Sequence, residues 1–166
     1  MKTAFIIIDV QNILVETGFE TEKLLEKIAY LQDQARKQQI EIIYIQHIET
    51  PEALTSEDWQ LSPLLKRQAD EKVFQKRYNS IFKETGLKEY LDQQGIEQLV
   101  LCGMQTEYCV DTSVKVGFEY GYKLVIPEGV VTTFDGEDIP AETLNEFYEN
   151  IWAERFADVL DYKSIF

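Results

Sequence analysis

The sequence predicts an α/β fold: a three-layer α/β/α, Rossmann-like arrangement. An open, mostly parallel sheet of about six strands carries helices on both faces. Three observations predict it. First, residues 4–8, 40–45 and 98–102 are short apolar runs, rich in β-branched residues at 4–8 and 40–45. Such runs suit strands buried on both faces. Second, residues 21–39 carry an apolar stripe of Leu24, Leu25, Ile28, Leu31 and Ala35 at helical spacing. That helix lies between the first two strands, which implies a right-handed crossover within a parallel sheet. Third, the alternation of strand and helix continues to the end of the chain without a repeat, a low-complexity tract or a linker. One domain over residues 1–166 is therefore expected.

The elements follow in order. After the first strand, residues 10–19 read as a loop, since Gln11 and Asn12 are polar and Gly18 breaks the segment. The second strand is followed by a long loop, 46–61, holding Pro51, Trp59 and the single histidine, His47. Residues 63–68 fit a short helix. Residues 71–76 lead into 77–82, where strand and loop patterns overlap. A helix at 86–94 is closed by Gly95, and a strand at 96–102 is ended by Gly103. A helix at 107–120 is closed by Gly121, and a strand follows at 122–127. Residues 128–139, with Gly129, Asp135 and Gly136, read as a loop. The helix at 140–153 starts with Pro140 at its first position. Residues 156–160 form a last, short edge strand. The aromatics Phe147, Tyr148, Trp152 and Phe156 recur at helical spacing, which suits core or subunit contact.

Composition narrows the function. Thirty acidic against 16 basic residues give a formal net charge of −14. That argues against a nucleic acid or an anionic membrane as partner, since phosphate binding needs basic patches. It does not exclude a small anionic substrate, since one local Lys or Arg can outweigh a distant average. The apolar run near the start is too short for a signal peptide or a membrane span, so a cytoplasmic location is expected. Two cysteines make no disulfide framework. One histidine and two cysteines near one strand do not offer the short-spaced ligands of a zinc site, so neither a metal nor a cofactor is expected. The chain has no Gly-rich phosphate loop and no Gly-x-Ser-x-Gly elbow.

Ligands of open α/β sheets sit beyond the C-terminal ends of the strands, near where strand order reverses. Asp9 and the turn from Gly103 to Cys109 both fall at that edge. Cys109 lies in or beside the first turn of a helix that follows a strand. There, free backbone N–H groups and the helix dipole favour a thiolate and can hold a developing oxyanion. Asp9, at a strand end, suits a general acid/base. A cation beside both groups would lower the thiol pKa below the free value of about 8.5. Lys76, between Phe74 and Tyr78, is the best candidate, with Lys66, Lys72 and Arg77 as alternatives. Cys102, inside the strand, reads as a small core hydrophobe. His47 reads as a surface or loop histidine rather than a catalytic base.

At these residues the chain resembles the isochorismatase-like cysteine hydrolases. Four segments carry the resemblance, in order: Phe5-Ile-Ile-Ile-Asp9-Val-Gln11-Asn12; Val73-Phe-Gln-Lys76-Arg-Tyr-Asn-Ser80-Ile-Phe82; Leu99-Val-Leu-Cys-Gly103-Met-Gln-Thr106-Glu-Tyr-Cys109-Val110; and Gly121-Tyr-Lys-Leu-Val-Ile-Pro-Glu-Gly129. The third is the most specific. The resemblance implies a catalytic triad of Asp9, Lys76 and Cys109. It also implies a cis peptide between Met104 and Gln105, with the N–H groups of Gln105 and Cys109 as an oxyanion hole. Hydrolysis of a small-molecule amide through a thioester at Cys109 follows by the same resemblance. Vinyl ether hydrolysis of the isochorismatase type, nicotinamidase activity and a non-catalytic role through protein interfaces are the alternatives.

Departures from the family pattern weigh among these. Nicotinamidases carry an Asp-x-His and a further His after the second strand, where this chain has Gln46 and His47 alone. Isochorismatases proper are longer. The substrate pocket is expected to draw on Gln11, Ile13, Leu14, Phe19, Trp59, Tyr108 and Phe134. A homo-oligomer, dimer or tetramer, is expected by the same resemblance.

Overall fold

A computed structural model describes residues 1–166. Seven strands form one sheet in which every pair is parallel. They are β1 (Thr3–Ile8), β2 (Glu41–His47), β3 (Lys72–Lys76), β4 (Gln98–Met104), β5 (Lys123–Pro127), β6 (Val131–Thr132) and β7 (Asp158–Leu160). Their order is β3-β2-β1-β4-β5-β7, with the short β6 paired to β4 beyond the end of β5. The helices are α1 (Asn12–Thr17), α2 (Thr21–Lys37), α3 (Leu87–Gln93), α4 (Asp111–Glu119) and α5 (Ala141–Trp152). No helix is long and apolar enough to cross a membrane.

Alternation along the central strands divides two cores. Ala4, Ile6 and Ile8 of β1, with Leu99 and Leu101 of β4, join Leu87, Leu91, Val114 and Trp152 on one face. Phe5 and Ile7, with Val100 and Cys102, join Leu24, Leu25, Ile28, Leu31 and Ala35 of α2 on the other. The helical stripe predicted for α2 is thus the face it buries. Helices on both sides make the three layers.

Several local expectations are corrected. Residues 10–19 are not simply a loop, because α1 occupies Asn12–Thr17. Six residues are too short to show a helical period, and none of them is fully buried. The helix at 63–68 is only a single 3₁₀ turn, Pro63–Leu65. Gly103 does not end β4, which continues to Met104. Gly103 is required there by crowding: a Cβ would lie 2.1 Å from the Ile8 carbonyl oxygen, and its φ is +120°. Residues 131–132, expected in a loop, pair as β6.

Strand order reverses between β1 and β4, since β1 has β2 on one side and β4 on the other. Asp9 directly follows β1 and Cys109 follows β4, so both stand at the switch point.

Candidate active site

Asp9 leaves the sheet immediately after β1. Its φ of +51° turns the chain away, while its N–H still donates to the Ile45 carbonyl at 3.1 Å. Lys76 closes β3, two strands away from β1. Its register partner on β2 is His47, so the two side chains leave the same face of the sheet. The long lysine side chain spans β2 and brings its ammonium to Asp9. Cys109 lies on a π-helical turn, Thr106–Val110, which leads into α4. The Gln105 carbonyl accepts the N–H groups of Tyr108 and Val110 at 3.1 and 3.2 Å, which ties that turn to the end of β4. The Met104–Gln105 peptide is cis, as the resemblance implied.

The Lys76 ammonium is the centre of the cluster. Nζ lies 2.9 Å from Asp9 Oδ2 and 3.0 Å from Cys109 Sγ. It also lies 3.0 Å from His47 Nδ1 and donates to the Tyr78 carbonyl at 2.9 Å. The Lys76 and Asp9 side chains are 0% and 2% exposed. The polar atoms of Asp9, His47 and Cys109 all lie within 4.8 Å of one another, and the cation among them is Lys76. Asp9 Oδ1 is buried and makes no hydrogen bond. The sequence left Lys66, Lys72 and Arg77 open as alternatives, but all three are exposed.

Electrostatics correct one expectation. The Cys109 thiol is not held low. Burial, with the Asp9 carboxylate beside it, pushes the thiol up to about 12, and Lys76 only partly offsets this. Burial likewise raises Asp9 above the usual carboxylate range, against the pull of Lys76. Cys109 stands at a helix start but is buried, away from the water that a thiolate needs. Desolvation and the Asp9 carboxylate outweigh the lysine. Cys109 therefore rests as a thiol beside the paired Asp9 and Lys76 side chains. A buried carboxylate with a raised affinity for protons, one free oxygen and a thiol nearby is equipped to take that thiol's proton.

The other expected residues are placed unevenly. Tyr108, Phe134 and Gln105 line one cavity of about 450 Å³ beside the Cys109 turn. Trp59 stands with its ring centroid 6.0 Å from that of His47. Gln11 is fully buried and holds backbone rather than facing a cavity. It donates to the His47 and Trp59 carbonyls at 2.9 and 2.7 Å and accepts the His47 N–H at 2.8 Å. Phe19 lines a separate cleft between α2 and α5. Ile13 is exposed on α1, and Leu14 packs against the α2-side core.

Two residues escaped the sequence reading. His47 is not in a loop; it ends β2, half-buried against Lys76. Its burial and the nearby ammonium lower its pKa from the usual value. Ser113 is fully buried; its hydroxyl donates to the Cys109 carbonyl at 2.6 Å and accepts the Ile81 N–H at 3.1 Å. It joins the Cys109 turn to the segment that follows Lys76. Its position four residues after Cys109 on a helix was the available signal.

The isochorismatase domain matches residues 3–163 of this chain. The chain is 28% identical over 144 residues to streptothricin hydrolase of Streptomyces noursei. That alignment covers 83% of this chain and 51% of the relative, so the chain spans about half of that protein's length. It is also 28% identical over 155 residues to the isochorismatase family protein YddQ of Bacillus subtilis (strain 168), covering 86% of each. Among solved structures, an isochorismatase from Pseudomonas putida KT2440 has a TM-score of 0.92 at 29% identity, over 99% of this chain and 90% of that one. With the domain match running nearly end to end and the fold in agreement, this chain belongs to the isochorismatase family of hydrolases.

Proposed function

We propose that this protein is a cysteine hydrolase that cleaves the C–N bond of a small-molecule amide through a thioester at Cys109. The observation that carries the reading is the buried ammonium of Lys76, within 3.0 Å of both the Asp9 carboxylate and the Cys109 sulfur. A structural protein has no physical need to bury that trio and leave a carboxylate oxygen unpaired.

The steps follow from the charges. Asp9 takes the Cys109 proton as sulfur attacks the carbonyl carbon, so the buried site never holds a free thiolate beside a carboxylate. The Lys76 ammonium then faces the sulfur and the protonated Asp9. The developing oxyanion is held by the N–H groups of Gln105 and Cys109. Asp9 returns its proton to the nitrogen, the C–N bond breaks, and the amine or ammonia leaves. Asp9 next takes a proton from water, which attacks the thioester. The C–S bond breaks, and the proton returns to sulfur. Similarity to a protein named streptothricin hydrolase supports hydrolysis as the reaction class.

A second reading has its own support. Burial raises Asp9, and a protonated Asp9 could donate to carbon in vinyl ether hydrolysis with little demand on the thiol. One experiment separates the two. The protein and its Cys109→Ser variant are incubated with a panel of small amides and with a vinyl ether, and ammonia release and intact mass are followed. Amide hydrolysis predicts ammonia release and an acyl adduct on Cys109. In Cys109→Ser the rate should fall by on the order of 10³-fold or more. Turnover of the vinyl ether alone, little changed in Cys109→Ser, would overturn the amidase reading.

A further inference from the structure

We infer that His47 is a positioning residue for this site: its neutral Nδ1 accepts one hydrogen of the Lys76 ammonium and so sets how the remaining hydrogens are shared between Asp9 and Cys109. The inference rests on the hydrolase reading, in which Lys76 serves both groups.

An ammonium has three N–H donors and no acceptor. Four acceptors stand around Nζ: Asp9 Oδ2 at 2.9 Å, the Tyr78 carbonyl at 2.9 Å, Cys109 Sγ at 3.0 Å and His47 Nδ1 at 3.0 Å. While sulfur carries its own proton it needs none from lysine, and the three hydrogens go to Asp9, Tyr78 and His47. When that proton passes to Asp9, Asp9 needs the ammonium less and the sulfur needs it more. His47 and the Tyr78 carbonyl hold the ammonium's position through the exchange. Nδ1 can accept only if the ring is neutral and carries its proton on Nε2.

The fold does not need the imidazole for itself. The His47 backbone is already held on both sides by Gln11, whose Oε1 accepts its N–H at 2.8 Å and whose Nε2 donates to its carbonyl at 2.9 Å. Register with Lys76 then aims the ring at the ammonium, and the Trp59 ring flanks it. The charged or titratable groups facing the ring are Lys76 on β3, Asp9 after β1, Cys109 on its turn and Glu49 on its own segment. Protonation of the ring removes the acceptor and sets a second cation beside Lys76. That change draws the ammonium from the sulfur and slows the nucleophile on the acid side.

A single histidine makes the test direct. Imidazole ¹⁵N spectra of the labelled protein give one resonance pair, followed from pH about 5 to 9 in the wild type and in Lys76→Met. The expected result is the Nε2–H tautomer, titrating below the free value of about 6.5 and rising in Lys76→Met. Iodoacetamide alkylation of Cys109, read by intact mass, is then compared across variants. His47→Leu should slow it about tenfold, the effect of one pKa unit. His47→Asn, which keeps an acceptor near Nδ1, should recover most of that rate and lose the acid limb of the wild type. A proton on Nδ1, or a titration indifferent to Lys76→Met, overturns the inference whatever the activity. So does unchanged alkylation in His47→Leu while Lys76→Met still slows it, and the hydrolase reading then stands. Alkylation unchanged in Lys76→Met as well overturns both.

Discussion

Two charge clusters flank β2, one partly exposed and one sealed from solvent, and they are built to opposite ends. In one, Glu71 joins α2 and β2 to the segment entering β3. Both its oxygens are used: they accept from Arg36 at 2.8 and 3.1 Å, from the Tyr44 hydroxyl at 2.8 Å and from the Gln68 N–H at 2.9 Å. Gln32 completes the cluster by donating to the Tyr44 oxygen at 2.7 Å and to the Leu65 carbonyl at 2.8 Å. Burial acts to raise Glu71, but Arg36, the Gln68 N–H and Tyr44 outweigh it and hold the carboxyl below its usual value. In the other cluster, Asp9 has one oxygen paired and one unpaired, Lys76 has more acceptors than hydrogens, and burial keeps Asp9 raised. In the first, both carboxylate oxygens are satisfied. The second is over-subscribed on its cation and under-served on its anion, so a proton can move within it. Saturation of hydrogen bonds, together with depth of burial, separates a strut from a reactive site.

That contrast can be broken by unfolding measurements. The largest effect is expected for Lys76→Met, which leaves Asp9 as an uncompensated buried charge and should cost about 3–5 kcal/mol in urea denaturation. A loss under about 1 kcal/mol would mean that Asp9 is already neutral or reaches water, and the contrast would fail. Next comes Glu71→Ala, which strips charged hydrogen bonds from Arg36 and Tyr44. It should cost about 1.5–3 kcal/mol while leaving Cys109 alkylation unchanged; a change in alkylation would show that the clusters are coupled. The double variant Asp9→Asn, Lys76→Met sharpens the comparison. Replacing a buried ion pair by neutral groups is often neutral or stabilising, so it should regain most of what Lys76→Met loses while hydrolysis stays abolished.

The smallest effect is a pH dependence. Glu71 is held below its ordinary value of 4.5, so its contribution is present above that pH and is lost as pH falls through the folded value. Glu71→Gln should therefore flatten the acid limb of stability between those two points. An acid limb unchanged by Glu71→Gln would reassign it to other carboxylates.

Legibility in the sequence followed locality. The stripe Leu24, Leu25, Ile28, Leu31 and Ala35 was readable because a helix buries residues at a fixed period, and all five lie in one core. Asp9 and Cys109 were readable at strand ends because apolar runs stop there. The two cysteines were separable for the same reason: Cys102 is inside β4 and fully buried, while Cys109 is on the turn beyond it. The α1 helix was missed because six residues show no period, and the polar Gln11 ahead of it spends its side chain on His47 and Trp59, remote in sequence.

Residue pattern alone was enough for the main strand–helix alternation and for the two strand ends that carry Asp9 and Cys109. These depend on side-chain period and backbone freedom within a few residues. Residue spacing left Lys76 among exposed neighbours until the family motif picked it out; the packed structure alone set His47 against it and placed Ser113 beneath the cysteine turn. Those choices rest on the register of β3 against β2 and on packing between segments far apart in the chain. The protonation state of Cys109 belongs with them. A thiol's affinity for its proton is set by how much water and how much charge surround it, and both are decided only when the sheet closes over the site.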